Sequence, residues 1–145
     1  MGPVVLRGTI QMKRVDDVFI GLGLAWLIAG MLMGTWLGAS GNFQFTNTHA
    51  HMNLVGFTAS VLFGLIYRAY PSMKASRLAL PQLALYQAGT VLLLAGKAVI
   101  DNGGSEGLVG IGAIVVILGV ALMLVVFFAR NRTVDVPTTL TPSLG

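Results

Sequence analysis

The chain is expected to be an all-α membrane protein with four transmembrane helices and both termini cytoplasmic, and three observations predict it. The composition is 55% apolar and only 10% charged, with a mean hydropathy of +0.82, which is a polytopic membrane composition and leaves little for a soluble domain. Apolar runs close to the ~20 residues that a helix needs to cross a bilayer core occur four times, at about 18–38, 49–70, 81–100 and 107–129. The charges are also sorted. Arg7, Lys13, Arg14, Arg68, Lys74, Arg77, Arg130 and Arg132 fall on one side of these spans, and only Lys97, with Asp101 and Glu106, falls toward the other. An excess of Lys and Arg marks cytoplasmic loops, so 1–17 is a cytoplasmic arm and 130–145 a polar, Pro/Thr-rich cytoplasmic tail. The arm is not read as a signal peptide, because the span after it is too long for an h-region.

Each element has its own signals. Asp16 and Asp17 stand at the start of span 1, where carboxylates favour the positive end of the helix dipole. Gly30, Gly34 and Gly38 recur every fourth residue and form a small-residue face for close helix packing, within the chain in preference to between chains. Trp26 lies deep and is expected to pack, whereas Trp36 sits near an interface that favours indole. The loop to span 2 is uncharged, with Phe43 and Phe45 at the bilayer surface and Thr46, Asn47 or Thr48 able to cap the next helix. Span 2 carries a second small-residue stripe, Gly56, Ser60 and Gly64, which puts it at the centre of the bundle. Tyr67, Arg68 and Tyr70 mark its far interface, and Pro71 stops it. Span 3 tolerates Pro81 in its first turn. Of its polar residues Gln82, Tyr86 and Gln87, Gln87 is expected to be the more buried and to bond another helix. Asp101 to Glu106 form a turn with solvated carboxylates, and span 4 is a lipid-facing wall.

The chemistry concentrates in Thr46 to Pro71, TNTHAHMNLVGFTASVLFGLIYRAYP. The two histidines of the chain, His49 and His51, open this span. Ionisable residues within spans are rare and usually functional. Positions two apart on an α-helix differ by about 200° around its axis, so one helix aims these imidazoles at two different neighbours. A single metal on one helix face would instead ask for ligands four apart. The plainer alternative is that each histidine only hydrogen-bonds a carbonyl or water at the interface.

This stretch resembles the haem-ligand helix of haem-copper oxidase subunit I, the tenth of its twelve spans, which also opens with His-x-His. Gly64 and the Ala69-Tyr70-Pro71 terminus fall at the distances from His49 at which that family has a glycine and an aromatic-proline stop. The chain also resembles one of the three four-helix arcs of that subunit, with ligands on the second helix. The resemblance implies haem b held by His49 and His51, with a metal role for both. It implies a homo-oligomer, a trimer in preference to a dimer, that rebuilds the twelve-helix cylinder. It further implies a bacterial inner (plasma) membrane location and a respiratory-chain redox partner. Lys97 is the one basic side chain on the histidine side. Together with Asn47, Asn53 and Trp36 it is a candidate to meet the anionic haem propionates. The copper-ligand helix of the family has no counterpart here, so a complete oxygen-reducing centre in one chain is not expected.

Two rival readings belong beside this one. In the first, the chain is an accessory or assembly subunit of a respiratory oxidase. In the second, it binds copper, with Met52 as a soft ligand. No cysteine is present, which removes disulfides, thiolate metal sites and covalent haem attachment. The net charge of +4 is explained by basic residues at span ends, so the partner surface is lipid and not nucleic acid.

Overall fold

A computed structural model describes residues 14–133 and Asp135, and the expectations for residues 1–13 and for the rest of the tail lie outside the described residues. Among the described residues, four helices are long and apolar enough to cross a membrane: α1 (Val15–Ser40), α2 (Thr46–Ala69), α3 (Ala79–Asp101) and α4 (Gly107–Phe128). The protein is all-α and multi-pass. No helix end differs from the sequence expectation by more than three residues. Asp16 and Asp17 occupy the first turn of α1, and Gly41 ends it with φ 65, a left-handed stop that favours glycine. The loop after α2 departs from a simple connection, because Pro71–Ala75 form a 3₁₀ turn.

Helices pack in chain order: α1 against α2, α2 against α3, and α3 along α4. Lipid tails are as apolar as Leu, so burial alone does not drive these contacts and close packing has to. Glycines supply it. A Cβ at Gly112 would run into the Leu93 backbone and one at Gly96 into the Val109 backbone. The same holds between α1 and α2, where a Cβ at Gly56 would lie 2.8 Å from Trp26 Cγ and one at Gly64 would lie 2.9 Å from the Asp16 carbonyl oxygen. The stripe on α2 is thus a contact surface, with α1 on one side and α3 on the other. α4 exposes Ile111, Ile114, Ile117, Leu118 and Leu124, much as α1 exposes Ile28, Met31 and Leu32.

The core sits at the end of the bundle that carries the basic residues. Phe19, Tyr67, Tyr86, Met73, Leu83, Met123 and Val126 form one cluster joining all four helices. Phe19 stacks on Tyr67 with centroids 6.0 Å apart, and Phe63 meets Tyr86 edge-on at 4.8 Å. Here the sequence expectation for span 3 is corrected. Gln82, not Gln87, is the buried glutamine, at 0% exposure. It accepts from the Tyr67 hydroxyl at 3.3 Å and donates to the Gly119 carbonyl at 3.3 Å. Gln87 is half-buried, but it does bridge helices, donating to Ser60 Oγ at 2.9 Å. It also accepts from Trp26 Nε1 at 3.3 Å, so Trp26 does more than pack. At the same end, Asp16 takes Lys74 Nζ at 2.9 Å and Arg68 Nε at 3.4 Å, while Asp17 takes Arg68 at 2.7 Å.

Candidate functional site

The opposite end holds the histidines, and there the helix is not regular. α2 begins as α-helix over Thr46–His51, widens to a π-helix over Met52–Ala59 and returns to α-helix at Ser60. Runs of π-helix this long are rare, and π-bulges gather at functional sites. A widened turn stretches the backbone ladder, and side chains compensate. Tyr86 Oη of α3 donates to the Val55 carbonyl at 2.8 Å, and Thr58 Oγ1 donates to the Asn53 carbonyl at 2.9 Å. Nothing in the apolar pattern of the span announces this segment. The only sequence trace of it is the pair of polar residues, Asn53 and Thr58, set five apart.

His49 and His51 stand just ahead of the π segment, both half-buried. His49 turns toward α1. A Cβ at Gly34 would lie 2.8 Å from His49 Cε1, and one at Gly30 would lie 2.6 Å from Asn53 Oδ1. Gly30 and Gly34 therefore form a cradle that takes the His49 ring and the Asn53 amide, which settles two of the three glycines of that face as intramolecular packing. Gly38 has nothing within 4 Å of its Cβ position. Asn53 Nδ2 donates to the His49 carbonyl at 3.0 Å and lies 3.4 Å from each ring nitrogen. The ring is held by shape more than by a short hydrogen bond.

His51 is held differently. Its Nδ1 lies 2.9 Å from the Asn47 carbonyl. A carbonyl only accepts, so this bond requires the proton on Nδ1. That leaves Nε2 with its lone pair and no partner among the described residues. Metal-ligating histidines are typically oriented in this way, with one ring nitrogen donating to a carbonyl and the other turned to the metal.

The expected caps of α2 do not form. The residue before Thr46 offers no side-chain cap, Thr46 Oγ1 donates back to the Phe43 carbonyl at 2.7 Å, and Asn47 contributes its carbonyl to His51. The cap comes from another helix. Asp101, the last residue of α3, accepts from Thr48 N at 3.2 Å and from Thr48 Oγ1 at 2.6 Å. Its carboxylate is thus bound to a helix N-terminus and not merely solvated, because a carboxylate there satisfies orphan N–H groups and the dipole together. Gln44 completes the latch, donating to the Asp101 carbonyl at 2.7 Å and to Asn102 Oδ1 at 3.1 Å.

Of the other expected site residues, Trp36 is exposed and tilts against Phe45 at 6.1 Å. Lys97 is half-buried on α3, one turn before Asp101, and makes no ion pair among the described residues. Thus Asn53 joins His49, while Lys97 is not drawn into the histidine cluster. Among the described residues no three His, Asp or Glu side chains converge as a metal site. No family model, curated protein or solved structure matches the chain.

Proposed function

We propose that the protein is a haem-b-binding integral membrane protein serving electron transfer or redox-ligand binding, with iron held between protomers by His49 and His51. The observation that carries this reading is His51, whose Nδ1 is tied to the Asn47 carbonyl at 2.9 Å while Nε2 is left as a free ligand. A hydrogen bond of this kind favours the Nδ1–H tautomer and orients the ring, as in metal-ligating histidines. The resemblance of the His-x-His span to the haem-ligand helix of haem-copper oxidase subunit I supports the same reading. When bound, the iron would supply one-electron chemistry, which bis-histidine ligation suits because little has to move.

The two ligands diverge around one helix, so a second protomer has to bring the opposite histidine to each iron. A head-to-tail contact of this kind closes into a ring when the rotation between protomers is a whole fraction of a turn. Four spans with ligands on the second repeat the layout of one oxidase arc, which favours a trimer over a dimer. The excess of Lys and Arg at one end supports a topology with both termini cytoplasmic and the histidines near the outer face of a bacterial inner membrane.

The deciding experiment is the absorption spectrum of the detergent-purified protein, together with native mass spectrometry. A Soret band with sharp reduced α and β bands, and a haem-loaded trimer, are expected. His49→Ala and His51→Ala should each remove the haem while helix content is kept. Copper without haem, or neither cofactor, would leave the metal-binding and accessory-subunit readings respectively.

A further inference from the structure

The latch and the histidine share one peptide group. Thr48 N–H, which donates to Asp101 Oδ2 at 3.2 Å, and the Asn47 carbonyl, which accepts from His51 Nδ1 at 2.9 Å, are the two polar ends of the Asn47–Thr48 peptide. We infer that Asp101 is a positioning residue for His51, acting through that peptide to polarise its Nδ1–H bond and so strengthen Nε2 as a ligand. The inference rests on the haem reading only for its consequence at iron.

The physical case is cooperative hydrogen bonding. An anion that accepts from a peptide N–H pushes electron density toward the carbonyl of the same group, which then accepts more strongly, and low local dielectric enhances the effect. The Thr48 side of the peptide meets these conditions, while Asn47 and its bond to His51 lie exposed. Thr48 is buried at 2% exposure. Its hydroxyl gives Asp101 a second bond at 2.6 Å, the short length typical of a charge-assisted O–H···O⁻ contact. Gln44 anchors the Asp101 backbone from the loop side at 2.7 Å. The carboxylate thus stands at a fixed place, one peptide away from the imidazole. A carboxylate bonded directly to a ligating histidine raises ligand basicity, and here the peptide carries the same influence across one extra link.

Asp101→Asn tests the inference, because an asparagine still accepts from Thr48 but carries no charge. In the haem-free protein, nitrogen-15 NMR should show native His51 as the Nδ1–H tautomer. Asp101→Asn should lower that tautomer's population and move the Nδ1–H proton upfield. In the haem-loaded protein the same variant should raise the midpoint potential, since a weaker donor stabilises ferric iron less, and should weaken haem binding by about tenfold. A role in placement alone predicts that Asp101→Asn moves none of these, and that result overturns the inference. Native His51 needs no variant to serve as a second check: a ring found as the Nε2–H tautomer overturns the relay outright. Should the protein take up no haem, the functional reading fails by itself, and the His51 resonances still decide the relay.

Discussion

The two ends of the bundle are built on different principles. At the basic end, large aromatic side chains from all four helices interlock around Phe19 and Tyr67. Asp16 and Asp17 are paired with Lys74 and Arg68 there, and the glutamine beneath them has its carbonyl oxygen and amide nitrogen both bonded. At the histidine end, glycines of α1 make room for an imidazole and an amide, α2 relaxes into a π-helix, and one imidazole nitrogen of His51 is left unpartnered among the described residues. The contrast shows a division of labour. Packing that fixes the fold is concentrated away from the histidines, where the backbone is irregular and the His51 ring keeps one nitrogen unpartnered among the described residues. Sites of function commonly hold such local departures, which the rest of the structure has to support.

Substitutions at each end should separate the two roles. The largest effect on stability is expected at the basic end. Phe19→Ala removes a fully buried ring that touches Phe63, Tyr67 and Tyr86, and should destabilise by about 3–5 kcal/mol. Thermal unfolding in detergent would show it, with haem per folded protein unchanged. A loss of haem in proportion to nothing but that mutation would break the division between the ends.

Gly34→Leu comes next. Its side chain has to enter the space of His49 Cε1, and overpacking of this kind costs about 1–3 kcal/mol. Its signature is elsewhere: the His49 ring is evicted, and haem content should fall sharply at a modest loss of stability. Retention of haem by this variant would mean that His49 does its work outside the cradle.

Tyr86→Phe tests the link between the ends, because Tyr86 lies in the aromatic cluster while its hydroxyl bonds Val55 in the π segment. A loss of about 1 kcal/mol is expected, together with faster amide hydrogen exchange confined to Met52–Ala59. Exchange that stays at the native rate would leave the π-helix independent of α3. The smallest effect is expected for Lys97→Ala, within about 0.5 kcal/mol in stability. A lowered haem midpoint potential in that variant would assign Lys97 to the propionates, and an unaltered one would leave it facing headgroups.

Much of this architecture is legible in the residues themselves. The four spans and their near-correct ends follow from hydropathy, because a backbone in lipid has to satisfy its own hydrogen bonds and helices are the local way to do so. The divergence of His49 and His51 follows from helix geometry alone, as does the prospect that a stripe of glycines marks a contact. These are local or periodic properties, fixed by neighbours within a few residues along the chain.

Tertiary structure decided the rest. That Gly30 and Gly34 receive Asn53 and His49, that Gln82 and not Gln87 is the fully buried amide, and that Asp101 caps a helix 53 residues before it all depend on which faces of which helices meet. The π segment has the same origin. Two of its carbonyls, those of Asn53 and Val55, accept from Thr58 within α2 and from Tyr86 of α3, and the bond from α3 exists only once the two helices are packed. Sequence spacing sets the directions in which side chains leave a helix, but hydrogen bonds between helices depend on rotation about each axis and on approach distance. Those two quantities are fixed only when all the contacts are made together.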